Sequence, residues 1–184
     1  MKFIPQIIPD VLLIEPVVHS DERGYFVETF KQKLLDEALG YQVNFIQDNE
    51  SKSTSKGVLR GLHLQLPPFT QAKLVRVIKG EVLDVAVDIR IDSLTFGKYV
   101  SVKLSEKNKK QLFIPGGFAH GFIVLSEEAI FAYKVDAYYS AEHEEGIAYN
   151  DKDINIDWCF LEKDIILSKA DQNYPNLADN KKLF

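Results

Sequence analysis

Residues 82–90 read Val-Leu-Asp-Val-Ala-Val-Asp-Ile-Arg. Leu83, Val85, Val87 and Ile89 alternate with Asp84, Ala86, Asp88 and Arg90. A repeat of two sends successive side chains to opposite faces, so this stretch predicts a half-buried strand. Outward from it, similar runs cover residues 43–47, 58–66, 72–78, 98–104, 111–114 and 130–138. Turn residues divide them: Pro67-Pro68, Lys79-Gly80, Ser105 to Asn108, Pro115-Gly116-Gly117 and Ser126 to Glu128. The polar stretch 48–57 reads as a loop. One helix is legible, with Thr29 and Gln32 at capping-box spacing, Leu34, Leu35, Ala38 and Leu39 as an apolar stripe, and Gly40 at the exit. Many short strands and one early helix predict a mainly β sandwich or barrel, with a double-sheet jelly roll as the specific expectation.

Composition sets the surroundings of that fold. The 184 residues suit one domain, and a hydrophobic share of 46% supplies a sizeable core. With 22 basic and 27 acidic side chains, the formal net charge is −5, which argues against a role in coating nucleic acid. Cys159 is the only cysteine, so no internal disulfide forms and a reducing compartment, the cytoplasm, is expected. Residues 1–16 are apolar but are interrupted by Pro5, Pro9, Asp10 and Glu15, so neither a signal-peptide core nor a membrane span is expected. From about residue 141 the chain turns polar and irregular, and it is expected to wrap the barrel within a single domain spanning residues 1–184.

His63 and His120 lie in glycine- and proline-marked contexts. Pro115, Gly117 and His120 match the second motif of metal-binding cupins, Pro-x-Gly-x-x-His. Gly57 and His63 keep the spacing of the first motif, but Gln65 stands where that motif has a second His, and Lys73 stands where it has a Glu. A divalent cation requires neutral imidazoles and anionic oxygens. An ammonium in place of a carboxylate reverses the sign of the site. The chain therefore reads as a cupin-type double-stranded β-helix jelly roll, with a few short helices, whose metal site has been converted to hold an anion. No metal is expected.

Further motifs are Asp21-Glu22-Arg23-Gly24-Tyr25-Phe26, Phe45-Ile46-Gln47-Asp48-Asn49, Leu59-Arg60-Gly61-Leu62-His63-Leu64-Gln65 and Lys73-Leu74-Val75-Arg76. After residues 84–90 come Thr95-Phe96-Gly97, Gln111-Leu112, Ile114-Pro115, His120-Gly121-Phe122, Tyr133-Lys134, Tyr138-Tyr139, Asn150-Asp151 and Ile156-Asp157-Trp158. As an ordered set they resemble the dTDP-4-dehydrorhamnose 3,5-epimerase family from about Pro9 to Asp171. The resemblance implies a cofactor-free isomerase acting on a nucleotide sugar with a ketone at carbon 4. A base removes the acidified protons at carbons 3 and 5, an oxyanion is stabilised, and an acid returns a proton from the other face.

The resemblance further implies His63 as base, Asp171 as its carboxylate partner, Tyr133 as proton donor and Lys73 beside the enolate oxygen. For ligand contacts it implies Arg23, Glu28, Gln47, Asn49, Arg60, Lys73, His120 and Glu144. Arg23 and Arg60 suit the diphosphate, whose oxygens match guanidinium forks. Phe26 and Tyr139 are implied to sandwich the base. The family is usually dimeric, with an amino-terminal strand completing the partner's sheet, so a homodimer is expected.

Some positions depart from the family pattern: Lys169 is displaced by one residue, Tyr99 and Tyr149 replace common tryptophans, and Cys159 follows Trp158 where proline is usual. Cys159 is expected to pack beside Trp158. Arg60 and His63 are three apart, so a regular strand points them to opposite faces. A bulge at Gly61, or an Arg60 reaching a neighbouring subunit, reconciles this. Other readings also remain: an epimerase of one carbon or of another 4-keto nucleotide sugar, a non-catalytic sugar-nucleotide binding module, and a metal-dependent cupin oxygenase, which Gln65 and Lys73 disfavour.

Overall fold

The structure is a computed structural model that describes residues 1–181 and 183. In chain order the strands are β1 (Lys2–Pro5), β2 (Leu12–Glu15), β3 (Val18–Asp21) and β4 (Gly24–Val27), followed by helix α1 (Gln32–Leu39). After it come β5 (Gln47–Ser53), β6 (Leu59–Gln65), β7 (Lys73–Lys79), β8 (Glu81–Asp88) and β9 (Tyr99–Ser105). The last are β10 (Gln111–Ile114), β11 (Phe118–Val124), β12 (Ala129–Val135) and β13 (Glu144–Gly146). A six-stranded sheet in the order β1-β2-β10-β7-β12-β5 faces a five-stranded sheet in the order β13-β6-β11-β8-β9, and β3 and β4 form a separate hairpin. This is the expected mainly β, cupin-type jelly roll.

The apolar residues fall into three groups. Val75, Val82, Leu104, Leu112, Phe118, Phe122 and Phe131 fill the space between the sheets. Leu59, Leu83, Val85 and Ile123, on the outer side of the five-stranded sheet, are covered by Ile147, Ile154, Trp158 and Leu177. Leu12, Ile14, Leu74 and Phe113 are covered by Leu35 of α1. The carboxyl-terminal segment thus wraps the barrel, through single 3-10 turns at Ala141–His143, Glu162–Asp164 and Leu177–Asp179.

Several local expectations are corrected. β8 is buried on both faces, because its apolar side lies under the carboxyl-terminal wrap and Asp84 and Asp88 face internal polar partners. Most of the expected loop at 48–57 is the edge strand β5. Its polar residues alternate between solvent and the inter-sheet space, where neither side demands an apolar row. Residues 43–46 and 136–138 are not strand. Strand β11 was not anticipated; buried throughout, it lacks the alternation that reveals half-buried strands. Helix α1 starts after Lys31, with no side-chain cap, so Thr29 does not form the capping box; Gly40 does close the helix in the left-handed conformation. Cys159 is exposed rather than packed. Apart from these corrections, strand β1 pairs with β2 within the chain and forms one edge of the six-stranded sheet.

Candidate active site

The register between β6 and β11 positions the site. His63 pairs with His120 and Arg60 with Phe122, so three steps on β6 match two on β11. This bulge turns Arg60 and His63 toward the same cavity. Gly61 makes it possible: its φ is +125°, and a Cβ there would come within 2.6 Å of the Gly121 Cα. Arg60 is exposed but partnered, its Nε donating to Ser53 Oγ (3.2 Å).

The cavity between the sheets measures about 240 Å³. Arg60, His63 and Gln65 of β6 and His120 and Phe122 of β11 form one wall. Lys73 of β7, Phe131 and Tyr133 of β12 and Ser51 of β5 form the opposite wall, while Gln71, Tyr139 and Glu144 complete the lining.

On the first wall, His63 Nε2 lies 2.6 Å from Asp171 Oδ1. Asp171 is 4% exposed and His63 is 36% exposed, so the pair is buried on the carboxylate side and open on the imidazole side. Burial alone would raise the Asp171 carboxyl, but hydrogen bonds from His63 and Ser168 outweigh it and hold the group below the usual carboxylate range. His120 Nε2 lies 2.9 Å and 3.1 Å from the two carboxylate oxygens of Asp84, a fully buried residue. Burial lowers the His120 pKa against the pull of Asp84, and Lys73 and His63 add to the lowering.

On the opposite wall, burial pushes the Lys73 ammonium down to about 8, while Asp84 and Glu144 pull it upward. Burial raises the Tyr133 phenol, opposed by the Arg60 cation, so Tyr133 keeps its proton at neutral pH. At the mouth, Tyr139 donates to Glu144 Oε2 (2.7 Å). Gln65 accepts a hydrogen bond from the Ser140 N–H (2.9 Å). Among the described residues no three His, Cys, Asp or Glu side chains gather as a metal cage. With Lys73 on the wall and Gln65 already engaged, the donor set does not fit a divalent cation.

The structure thus brings together His63, Asp171, Tyr133, Lys73, Arg60, His120, Tyr139 and Glu144. Gln47 and Asn49 stand on the same inward side of β5 as Ser51, and Gln47 Nε2 donates to Asn49 Oδ1 (2.8 Å). Arg23, Phe26 and Glu28 are not brought to the cavity within one chain. Arg23 is 85% exposed and paired with Asp21 (2.6 Å), and Glu28 is paired with Lys31 (2.9 Å). Phe26 is 65% exposed. The reason is that β3 and β4 pair only with each other. Sequence reasoning missed Ser51, Gln71, Phe122 and Phe131 in the lining, and the partners Asp84 and Ser168. Period-two spacing from Asn49 and Tyr133 reaches Ser51 and Phe131. Asp84 carried no such signal, because alternation assigned it to solvent.

The family model described as dTDP-4-dehydrorhamnose 3,5-epimerase matches residues 5–179. The dTDP-4-dehydrorhamnose 3,5-epimerase of Shigella flexneri is 57% identical over 97% of each chain. A Legionella pneumophila dTDP-6-deoxy-D-glucose-3,5-epimerase, solved with dTDP-4-keto-L-rhamnose, superposes with a TM-score of 0.94 at 48% identity, over 100% of this chain and 96% of that one. A 3'-monoepimerase from Streptomyces bikiniensis, solved with dTDP-quinovose, gives a TM-score of 0.88 at 32% identity, over 97% of this chain and 89% of that one. With a jelly roll of this topology, a cavity of this make-up and matches spanning nearly its whole length, the chain belongs to the dTDP-4-dehydrorhamnose 3,5-epimerase family.

Proposed function

We propose that the chain is an isomerase that epimerises carbons 3 and 5 of dTDP-4-dehydro-6-deoxy-D-glucose to give dTDP-4-dehydro-L-rhamnose, through an enolate and without metal or redox cofactor. The observation that carries this reading is that His63 and Tyr133 stand on facing walls of one cavity, each on a different sheet. Inversion needs a proton to leave one face of a carbon and another to arrive on the opposite face.

His63 takes the proton from the carbon beside the ketone, and the electron pair moves to the carbonyl oxygen. Asp171 engages Nε2, which leaves Nδ1 to accept that proton. The carboxylate stabilises the imidazolium so formed. Lys73 offers positive charge to the enolate oxygen, and Tyr133 supplies the proton on the other face. Arg60 meets the diphosphate, and Tyr139 and Glu144 hold the nucleoside end at the mouth. Gln47, Asn49 and His120 are assigned to the sugar and its linkage.

Arg23, Phe26 and Glu28 complete the nucleotide site from a second copy of the chain, which makes the working unit a homodimer. Support for this lies in the β3–β4 hairpin, which presents Arg23 and Phe26 to solvent rather than to its own cavity. The cytoplasm is the assigned compartment, on the lone Cys159. No helix among the described residues is long and apolar enough to cross a membrane.

Product analysis tests the reading. Incubation with dTDP-4-keto-6-deoxyglucose should yield, by proton NMR coupling constants, a sugar inverted at both carbons. Inversion at carbon 3 alone would instead match the activity named for the Streptomyces bikiniensis relative. Bound but unchanged sugar would make the chain a binding module.

A further inference from the structure

We infer that residues 168–174 form a clasp that positions His63, with Ser168 and Tyr174 as positioning residues and Gly146 as the seat of the Tyr174 ring. The inference rests on the reading of His63 as the base. Ser168 Oγ donates to Asp171 Oδ2 (2.6 Å), and the Asp171 N–H donates back to Ser168 Oγ (3.1 Å). The other oxygen, Oδ1, meets His63 Nε2. Both carboxylate oxygens are therefore held, and the carboxylate cannot turn without breaking one of these contacts.

A second contact acts on the imidazole itself. The Tyr174 ring meets the His63 ring edge to face, with centroids 5.8 Å apart and planes at 71°. Gly146 pairs with His63 across β13 and β6. A Cβ on Gly146 would fall 2.6 Å from Tyr174 ring atoms, so the ring occupies the space that only glycine leaves open. The clasp is anchored at both ends, to β6 on one side and to the segment that follows β13 on the other. The Leu59 N–H donates to the Ile166 carbonyl (2.9 Å) before it, and the Ala148 N–H donates to the Pro175 carbonyl (2.8 Å) after it. Asp171 fixes one nitrogen of His63 and Tyr174 limits its ring plane, which is how a neighbouring shell preserves the geometry of a reacting group.

The test compares kcat, KM and the pH profile of epimerisation across variants checked for folding by circular dichroism. Ser168→Ala and Tyr174→Leu should lower kcat about ten- to a hundredfold with little change in KM, the usual cost of losing a group that orients another. Ser168→Thr, which keeps the hydroxyl, and Tyr174→Phe, which keeps the ring, should retain most of the activity. Gly146→Ala should reproduce the Tyr174→Leu defect by displacing the ring.

In Ser168→Ala the Asp171 carboxylate loses a donor and binds the shared proton of the pair more tightly, so the acid limb should move to higher pH. The titratable groups around the pair are Lys73, His120, Glu144 and Glu145 from the sheets and Tyr139 and Tyr174 from the covering segments. Ser168→Ala alters none of them, and the Tyr174 variants remove only a phenol that burial pushes up to about 12 and so keeps neutral across the profile. Wild-type kcat and acid limb in Ser168→Ala and Tyr174→Leu, beside an inactive His63→Ala, would overturn the clasp and leave the base in place. A rise in KM alone would also overturn it. An active His63→Ala would instead overturn the assignment of the base, and the clasp with it.

Discussion

Lys73 shows what a single residue decides. Its spacing to Gly80 is that of the carboxylate in the metal-binding cupin motif, and its ammonium, pushed down to about 8 by burial, is cationic below that pH and neutral above it. Because the developing enolate needs the cation, kcat/KM should fall as pH rises through about 8. Lys73→Met should lower kcat and remove that alkaline limb, which a pH–rate profile reads directly. His63→Ala should abolish proton exchange. Tyr133→Phe should impair reprotonation more than proton removal, so exchange of solvent hydrogen should outlast net inversion. Most of these residues were legible because their types are tied to motif positions. Asp84 was not: alternation gives it to solvent, whereas the structure buries it against His120.

At the scale of elements, the bulge of β6 lets two residues three apart serve one cavity, and it depends on Gly61. Gly61→Ala places a Cβ against the Gly121 Cα and the His120 carbonyl oxygen, both backbone atoms that cannot swing aside, at a φ that disfavours any side chain. Urea unfolding should show a loss of more than about 1 kcal/mol, with kcat reduced as His63 and Arg60 separate. Trp158, which donates to the Tyr149 carbonyl (2.8 Å) from within the apolar layer under the wrap, should cost roughly 3–5 kcal/mol as Trp158→Ala in the same measurement. Strands whose polar and apolar residues alternate, β8 among them, were readable. The polar edge strand β5 and the fully buried β11 were not, because neither presents a dry face opposite a wet one. The expected cap at Thr29 failed because the chain enters α1 at Lys31.

For the whole molecule, the net charge of −5 conceals local cations, Arg60 and Lys73 at the cavity and Arg23 on the hairpin. A dimer that exchanges hairpins can be tested by complementation. His63→Ala and Arg23→Ala chains, each weakened alone, should recover about a quarter of wild-type activity after mixing and subunit exchange, because half of the dimers then hold one intact site. Size-exclusion chromatography with light scattering should report twice the chain mass. The proposed partnership is not legible from periodicity, since the exposed hairpin reads like any surface turn until its ligand-type residues are seen to lie outside their own cavity. The most direct test of the account follows solvent deuterium by NMR as the protein turns over dTDP-4-keto-6-deoxyglucose in heavy water. The account predicts deuterium at both carbon 3 and carbon 5, absent with His63→Ala. A folded, ligand-bound protein that introduces no deuterium would contradict it.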